Sequence, residues 1–119
     1  RIVEFSTQQY TQVIAEDALS FGASHVYTIL KVPQQAEQPT AIYGQVSFQT
    51  GPIKEHGVNG CHHEDLIAIL LDRLNGFQQT DYKCRENALA ITKLEEALHW
   101  LNHRTADRER RRVEGTQQV

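Results

Sequence analysis

A run of apolar residues at helical spacing in the last third of the chain begins with an amide. Asn87 stands where such a stripe would normally carry an aliphatic side chain. The stripe continues with Ile91, Leu94, Leu98 and Leu101. Asparagine is a mediocre helix former, and burying an amide without partners costs about 1–3 kcal/mol. Asn87 therefore either caps a buried contact between helices or reads a polar ligand.

Arginines cluster near the end of the chain. Residues 1–103 carry 7 basic and 12 acidic side chains, whereas residues 104–119 carry 5 arginines and 3 acids. Arg104 and Arg108 are four residues apart and project from the same side of a helix, an arrangement that suits a pyrophosphate or a cyclic phosphodiester. The arginines at 110–112 are also consistent with a solvated helix end. Because the rest of the chain is acidic, we do not expect it to bind double-stranded nucleic acid.

The histidines and cysteines show no catalytic signature. His99 and His103 have a spacing that can hold zinc, but Trp100 occupies the position where the metalloprotease motif has glutamate. We interpret the histidines as surface residues, with a structural or incidental metal site as the alternative. Cys61 and Cys84 belong to no nucleophile motif and are expected to be reduced thiols. The sequence thus predicts a protein without catalytic residues, metal or cofactor.

The size and composition of the chain bound its architecture. Its 119 residues suffice for one small domain, and a core of this size can require completion by a partner. The hydrophobic fraction is 39%, and no apolar run approaches the roughly 20 residues of a membrane span. No secretory leader follows Arg1, and we expect the true N-terminus to precede this residue. We therefore expect a soluble, cytoplasmic protein.

The first part of the chain has the alternation typical of strands. Residues 24–32 and 41–49 read as strands of an antiparallel β-hairpin, and residues 10–21 are ambiguous but favour strands over helix. Residues 50–59 contain three turn-forming points and are expected to form a shaped loop without regular structure.

Beyond residue 60 the period changes to that of helices. The first predicted helix has Glu64 and Asp65 in its first turn and ends at Asn75-Gly76. The second runs from about Tyr82 through residue 105 or further and is capped by a residue at 80 or 81. The sequence predicts an α+β fold, an antiparallel β-sheet followed by an antiparallel α-hairpin. Its parts are a β-rich region with a connecting loop (1–60), the hairpin (61–109) and a polar tail (110–119).

The helical hairpin separates the polar candidates. Asn87 and Arg104 are expected to share one face of the second helix, about 25 Å apart. Phe77 lies beside the turn and can neighbour Asn87, while Arg104 and Arg108 lie at the opposite end. An antiparallel two-fold dimer would bring both ends into each of two pockets, with an aromatic face for a base, an amide for its edge and arginines for phosphate. The alternative is a structural amide and an ordinary core phenylalanine.

Three segments carry a resemblance to a known family. They are "FQTGPIKEHGVNG", "HEDLIAILLDRLNGFQ" and "CRENALAITKLEEALHWL" with the following "RT", within residues 48–116. They resemble the phage Thoeris anti-defence proteins of the first type, which share a helical hairpin domain with the anti-CBASS cyclic-nucleotide sponges. The resemblance implies a protein that binds cyclic ADP-ribose isomers, notably the 1''–3' glycocyclic form, without cleaving them. Sequestering this signal deprives the Thoeris effector of its activator in the cytoplasm of the infected host.

The resemblance also implies site residues and assembly. The family pocket lies at a dimer interface and uses a phenylalanine after the first helix, an asparagine early in the second and two arginines near its end. These are Phe77, Asn87, Arg104 and Arg108 in this sequence. Some family members form hexamers, as trimers of dimers, and hold cyclic di- or trinucleotides at a second site; both alternatives stay open here.

Two further hypotheses concern the loop and the class of function. The segment 50–59 is expected to line the pocket or fold over it as a lid, with Lys54, Gly57 and Asn59 as its contributing residues. The rival functions are an enzyme that hydrolyses the cyclic signal, and a phage structural or nucleic-acid-associated module that uses the hairpin for oligomerisation.

Overall fold

A computed structural model describes residues 1–112, 115 and 116. The chain divides into two compact units, Arg1–Cys61 and His62–Val119. The first unit contains the strands and the second contains the two long helices. The predicted α+β fold is confirmed.

The first unit is built on a three-stranded antiparallel sheet in the order β1-β2-β3. The strands are β1 (Thr11–Ala15), β2 (Val26–Lys31) and β3 (Ile42–Ser47). β2 and β3 form the predicted hairpin, with a register shift between Ile29 and Leu30. The ambiguous segment 10–21 contributes β1, as the preference for strands predicted. β-branched and aromatic residues favour these strands because they pack well on a pleated surface.

Few side chains are enclosed in the first unit. Tyr27 pairs across the sheet with Ala15 and Val46, and its ring meets that of Phe48 edge-on with centroids 5.7 Å apart. Ala15, 1% exposed, is the one buried hydrophobic side chain among the described residues of the whole chain. Large apolar side chains elsewhere in this unit, such as Phe5, remain exposed. Hydrophobic burial by this chain alone therefore stabilises the sheet only weakly.

The segment 50–59 differs from the prediction because it contains one helical turn, α1 (Ile53–His56). Gly57 ends this turn with a φ of 72°, and its N–H donates to the carbonyl of Ile53. The neck of the loop is closed by side-chain amides. The Asn59 carboxamide accepts from the N–H of Thr50 and donates to its carbonyl, both at 2.8 Å, and the Gln49 carboxamide donates to the carbonyl of Gly57 at 2.7 Å. The loop is thus held in one shape by its own polar groups.

The second unit is a helical hairpin of α2 (His63–Gln78) and α3 (Arg85–Arg110). The carboxylate of Asp65 accepts a hydrogen bond of 2.9 Å from the N–H of His62 and so satisfies a donor at the start of α2. The prediction that Asn75-Gly76 ends this helix is wrong, since α2 continues to Gln78. No helix in the described part of the chain is both long enough and apolar enough to cross a bilayer.

The two helices pack through a seam of half-buried residues. On α3 these positions alternate in steps of four and three, the spacing of a coiled-coil seam. They are Asn87, Ile91, Leu94, Leu98, Leu101 and Thr105, followed at the same spacing by Arg108, which is buried. The matching half-buried positions of α2 are Ile67, Leu71, Leu74 and Gln78. The predicted apolar stripe is therefore the hairpin interface, and a polar residue stands at each of its ends on α3.

Candidate functional site

Phe77 lies in the last turn of α2, half-buried and in contact with two neighbours. The guanidinium carbon of Arg73 lies 5.0 Å from the centroid of its ring. The ring of Tyr82 approaches edge-on, with centroids 6.3 Å apart. The Thr80 hydroxyl donates a 2.7 Å hydrogen bond to the carbonyl of Phe77. The ring is thus held at the hairpin turn with a planar cation over one face.

A reciprocal pair of hydrogen bonds connects the end of α2 to the start of α3. The carboxamide of Gln78 donates to the carbonyl of Cys84 and accepts from its N–H, both at 3.1 Å. These bonds fix the chain on either side of the turn, so that the last residues of α2 and the first of α3 lie at one end of the hairpin. The structure therefore places Phe77 and Asn87 at the same end, as predicted from the connection.

The start of α3 is capped differently from the prediction. Neither residue 80 nor residue 81 is the N-cap; the cap is Cys84, whose Sγ accepts a 3.4 Å hydrogen bond from the N–H of Asn87. Thr80 instead serves the turn, where its hydroxyl accepts from the N–H of Tyr82 at 3.1 Å. Helix initiation therefore comes three residues later than about Tyr82, at Arg85.

Asn87 is half-buried, and its backbone and side chain have separate roles. The backbone N–H binds the cap, as stated above. Within the described part of the chain, no hydrogen bond engages the Asn87 carboxamide. The two N–H donors and the carbonyl acceptor of this carboxamide are therefore available for hydrogen bonds at the turn end of the hairpin. The assignment of this side chain to a ligand site stays a prediction.

The two arginines near the end of α3 have unlike environments. Arg108 is 6% exposed, and its Nη2 donates a 3.1 Å hydrogen bond to the carbonyl of Thr116. Arg104 is exposed. The C-terminal segment thus occupies one of the two predicted phosphate ligands in the free chain, whereas the other faces solvent.

The predicted sharing of one helical face by Asn87 and Arg104 is wrong. A separation of seventeen residues turns an α-helix by about 100° away from the starting direction. Arg108 instead belongs to the half-buried seam that begins at Asn87, while Arg104 is exposed a quarter-turn away. The distance along the axis, about 25 Å from Asn87 to Arg104, is unaffected.

Two of the remaining tail arginines, Arg110 and Arg111, are paired locally. Asp107 forms ion pairs with Arg110 and, at 3.2 Å, with Arg111. The hydrogen bond from Arg110 is the main cause that holds the pKa of the Asp107 carboxyl below its ordinary value; desolvation opposes it, and the charges of Arg110, Arg111 and His103 lower the pKa further. This pairing favours the interpretation of Arg110 and Arg111 as a solvated helix end. Val113, Glu114 and residues 117–119 of the predicted polar tail lie outside the described residues.

Two histidines of α3 contact an aromatic side chain. The rings of His99 and His103 each contact the exposed ring of Trp100, and the centroids of the two histidine rings are 6.5 Å apart. Among the described residues, no three His, Cys, Asp or Glu side chains gather as metal ligands would.

In the first unit, Lys54 is exposed on α1, while Gly57 and Asn59 shape the loop itself. The assignment of these three residues to the pocket stays a prediction.

A groove beside the turn was missed by the sequence reasoning. It runs along the exposed surface of α2 and is lined by Ala68, Ile69, Asp72, Arg73 and Gly76. The spacing of four between Arg73 and Phe77 is the sequence signal that could have indicated their contact.

The hairpin defines the class of protein to which this chain belongs. A family model described as Acb2/Tad1, hairpin domain, matches residues 41–106. This match covers more than half of the chain, and the chain belongs to that family.

A comparison with curated proteins identifies a relative. The protein named Thoeris anti-defense 1, from Bacillus phage SBSphiJ7, is 43% identical to this chain over 133 aligned positions. The alignment covers 95% of this chain and 94% of the relative, so the similarity extends well beyond the hairpin. The resemblance inferred from the hairpin segments is confirmed.

Proposed function

We propose that this protein is a phage anti-defence protein that sequesters a cyclic ADP-ribose isomer, with the 1''–3' glycocyclic form as the favoured ligand. The observation that carries the proposal is the 43% identity, over nearly the full length of both chains, to a protein named for Thoeris anti-defence. The free carboxamide of Asn87 and the ring of Phe77 at one end of the hairpin support it. The protein acts in the cytoplasm of the infected host, where the signal is made.

The ligand site requires two copies of the chain. Phe77 and Asn87 lie at the turn of the hairpin, whereas Arg104 and Arg108 lie about 25 Å or more along α3. An antiparallel two-fold dimer resolves this separation, because it brings the turn of one hairpin to the far end of the other. Exposed apolar side chains on the hairpin favour such an association; Ile69 is 63% exposed and Trp100 is 66% exposed. A hexamer would be a further assembly of such dimers.

Sequestration works by mass action and needs no chemical step. The protein must bind the signal with a Kd below the concentration that activates the effector, and it must be present in excess. Stacking of adenine on Phe77 and charge-assisted hydrogen bonds from the arginines to phosphate supply the affinity, largely through slow dissociation. A phosphate oxygen also competes for Arg108 with the Thr116 carbonyl, and the charged acceptor makes the stronger bond.

Calorimetric titration with 1''–3' glycocyclic ADP-ribose tests the proposal. We expect the wild type to bind about one ligand per chain. Asn87→Ala should weaken binding about 5- to 150-fold, and Arg104→Ala by a similar factor, because each removes a hydrogen bond made to the ligand. Lys93→Ala, which removes an exposed positive charge elsewhere on α3, serves as the control and should bind like the wild type.

Two outcomes would redirect the assignment. Binding of cyclic di- or trinucleotides in place of the ADP-ribose ligand would identify a sponge for the other class of signal, consistent with the shared hairpin domain. Recovery of a cleaved ligand after denaturing the complex would instead indicate an enzyme. We expect the ligand to be recovered intact.

A further inference from the structure

The exposed surface of α2 beside Phe77 has a groove that is lined by both charged and apolar groups. The groove is wide open to solvent and has a volume of about 680 Å³. The lining combines an aliphatic side chain, a carboxylate, a guanidinium group and two residues with little or no side chain. They are Ile69, Asp72, Arg73, Ala68 and Gly76. Phe77 follows directly after Gly76 and contacts Arg73.

Neither the backbone conformation nor the packing of the chain requires glycine at position 76. It lies inside α2, it does not have a positive φ, and a Cβ added to it would meet nothing within 4 Å. Glycine at such a helical position destabilises a helix relative to alanine, which is a cost to the fold. Neither backbone conformation nor packing within the chain explains this cost. A molecule that approaches the helix backbone from outside does explain it.

Arg73 lines this groove and also lies over the ring of Phe77. Its guanidinium group lies 5.0 Å from the centroid of the Phe77 ring and is exposed, whereas the half-buried ring is also in edge-on contact with Tyr82. A flexible, exposed arginine moves at low cost, and a guanidinium plane stacks on nucleobases as well as on aromatic rings. A base can therefore enter between Arg73 and Phe77 with only the arginine moving.

Asp72 decides which part of a nucleotide this groove accepts. A carboxylate repels phosphate, but it accepts a hydrogen bond from an exocyclic amino group such as that of adenine. The groove is therefore suited to the base and not to the phosphates.

We propose that this groove is the base-binding part of the nucleotide site, with Arg73 as a further ligand-binding residue that stacks on an amino-bearing purine from the side opposite to Phe77. This inference rests on the proposed function and adds a residue and an orientation to it. The base lies against α2 of one copy, and the phosphates extend towards the arginines of the other.

The experiment measures binding of 1''–3' glycocyclic ADP-ribose by full-length wild type and variants, at low and at high salt. Arg73→Ala removes both charge and plane, whereas Arg73→Lys keeps the charge and removes the plane. We expect both to weaken binding about 5- to 150-fold, the range for loss of one stacking contact, mainly through faster dissociation. The factor should be similar at both salt concentrations, because stacking is screened far less than charge attraction.

Two further variants test the geometry. Gly76→Leu fills the groove while favouring the helix, and it should weaken binding at least fivefold with no loss of helical circular dichroism. Arg85→Ala removes an exposed arginine near the same turn and should bind within twofold of the wild type.

The outcomes separate this inference from the proposed function. If the wild type binds and Arg73→Ala binds equally well, the inference fails while the function stands. Full affinity of Arg73→Lys, or an equal loss in Arg85→Ala, would show that positive charge alone matters and would also overturn it. Full affinity of Gly76→Leu would exclude the groove. Absence of binding by the wild type would overturn both.

Discussion

At the scale of single residues, the α3 side of the helix seam ends in a polar side chain at each end. These are the carboxamide of Asn87 and the guanidinium group of Arg108. Both side chains continue the half-buried stripe of α3, yet each is polar. Arg108 is satisfied by the carbonyl of Thr116, whereas the carboxamide of Asn87 is not engaged by any described residue. The same stripe that packs the hairpin therefore presents one available amide and one occupied cation.

The contact between Arg108 and Thr116 leads to a prediction about binding kinetics. Deleting residues 113–119 removes the carbonyl that occupies Arg108 in the free chain. We expect faster association and an affinity about 12- to 150-fold higher, the range for loss of one competing hydrogen bond made by a charged group. Stopped-flow measurement with glycocyclic ADP-ribose determines both rates.

The control for this deletion is a second variant that lacks the arginine. In an Arg108→Ala background the same deletion should leave the affinity unchanged, because no guanidinium group remains to be released. Weaker binding after deletion in the wild-type background would show that the tail contributes to the pocket instead of competing with the ligand.

At the scale of elements, the turn of the hairpin is held by side chains whose roles are structural. Gln78 bonds both backbone groups of Cys84, and the Cys84 thiol caps α3. This arrangement fixes where α3 begins and therefore where Asn87 stands relative to Phe77. The loop 50–59 is braced in a comparable way by the carboxamides of Gln49 and Asn59.

The unusual cap yields a prediction for helix stability. A thiol is a weak acceptor, so Cys84→Ser should keep or increase the free energy of unfolding, whereas Cys84→Ala should lower it by about 0.5–2 kcal/mol. Urea denaturation of the two variants under reducing conditions makes the comparison. Equal stability of the alanine variant and the wild type, measured alongside, would mean that the 3.4 Å contact of the thiol contributes nothing.

At the scale of the whole molecule, the described residues bury too little apolar surface for a self-sufficient core. Ala15 is the one hydrophobic side chain among them that is buried, and large apolar side chains are exposed in both units. Association of two or more copies of the chain would cover this exposed apolar surface. Assembly and ligand binding are thus expected to depend on each other.

Complementation between two defective variants tests the shared pocket. Asn87→Ala damages the turn end of a pocket and Arg104→Ala damages the other end, so a mixed dimer has one intact pocket and one with both defects. Co-expressing the two chains should restore full-affinity binding to about one pocket in four, as random pairing into two-fold dimers requires. If each pocket were formed within one chain, co-expression would restore none.

The sequence by itself determined the types and order of the elements. Alternation predicted β2 and β3, and helical periodicity predicted a hairpin whose inner stripe begins at Asn87, because these patterns are local consequences of strand and helix geometry. The family resemblance likewise followed from the hairpin segments and the turn residue Phe77.

Only the tertiary structure decided which groups meet. Cys84 caps α3, and α2 continues through Gly76. Arg108 binds the carbonyl of Thr116, and Arg73 lies over the ring of Phe77. Each of these depends on a contact between particular side chains or on the path of a turn, where energies of about 1 kcal/mol override local propensity. Periodicity assigns a residue to a face of a helix, and packing then selects its partner.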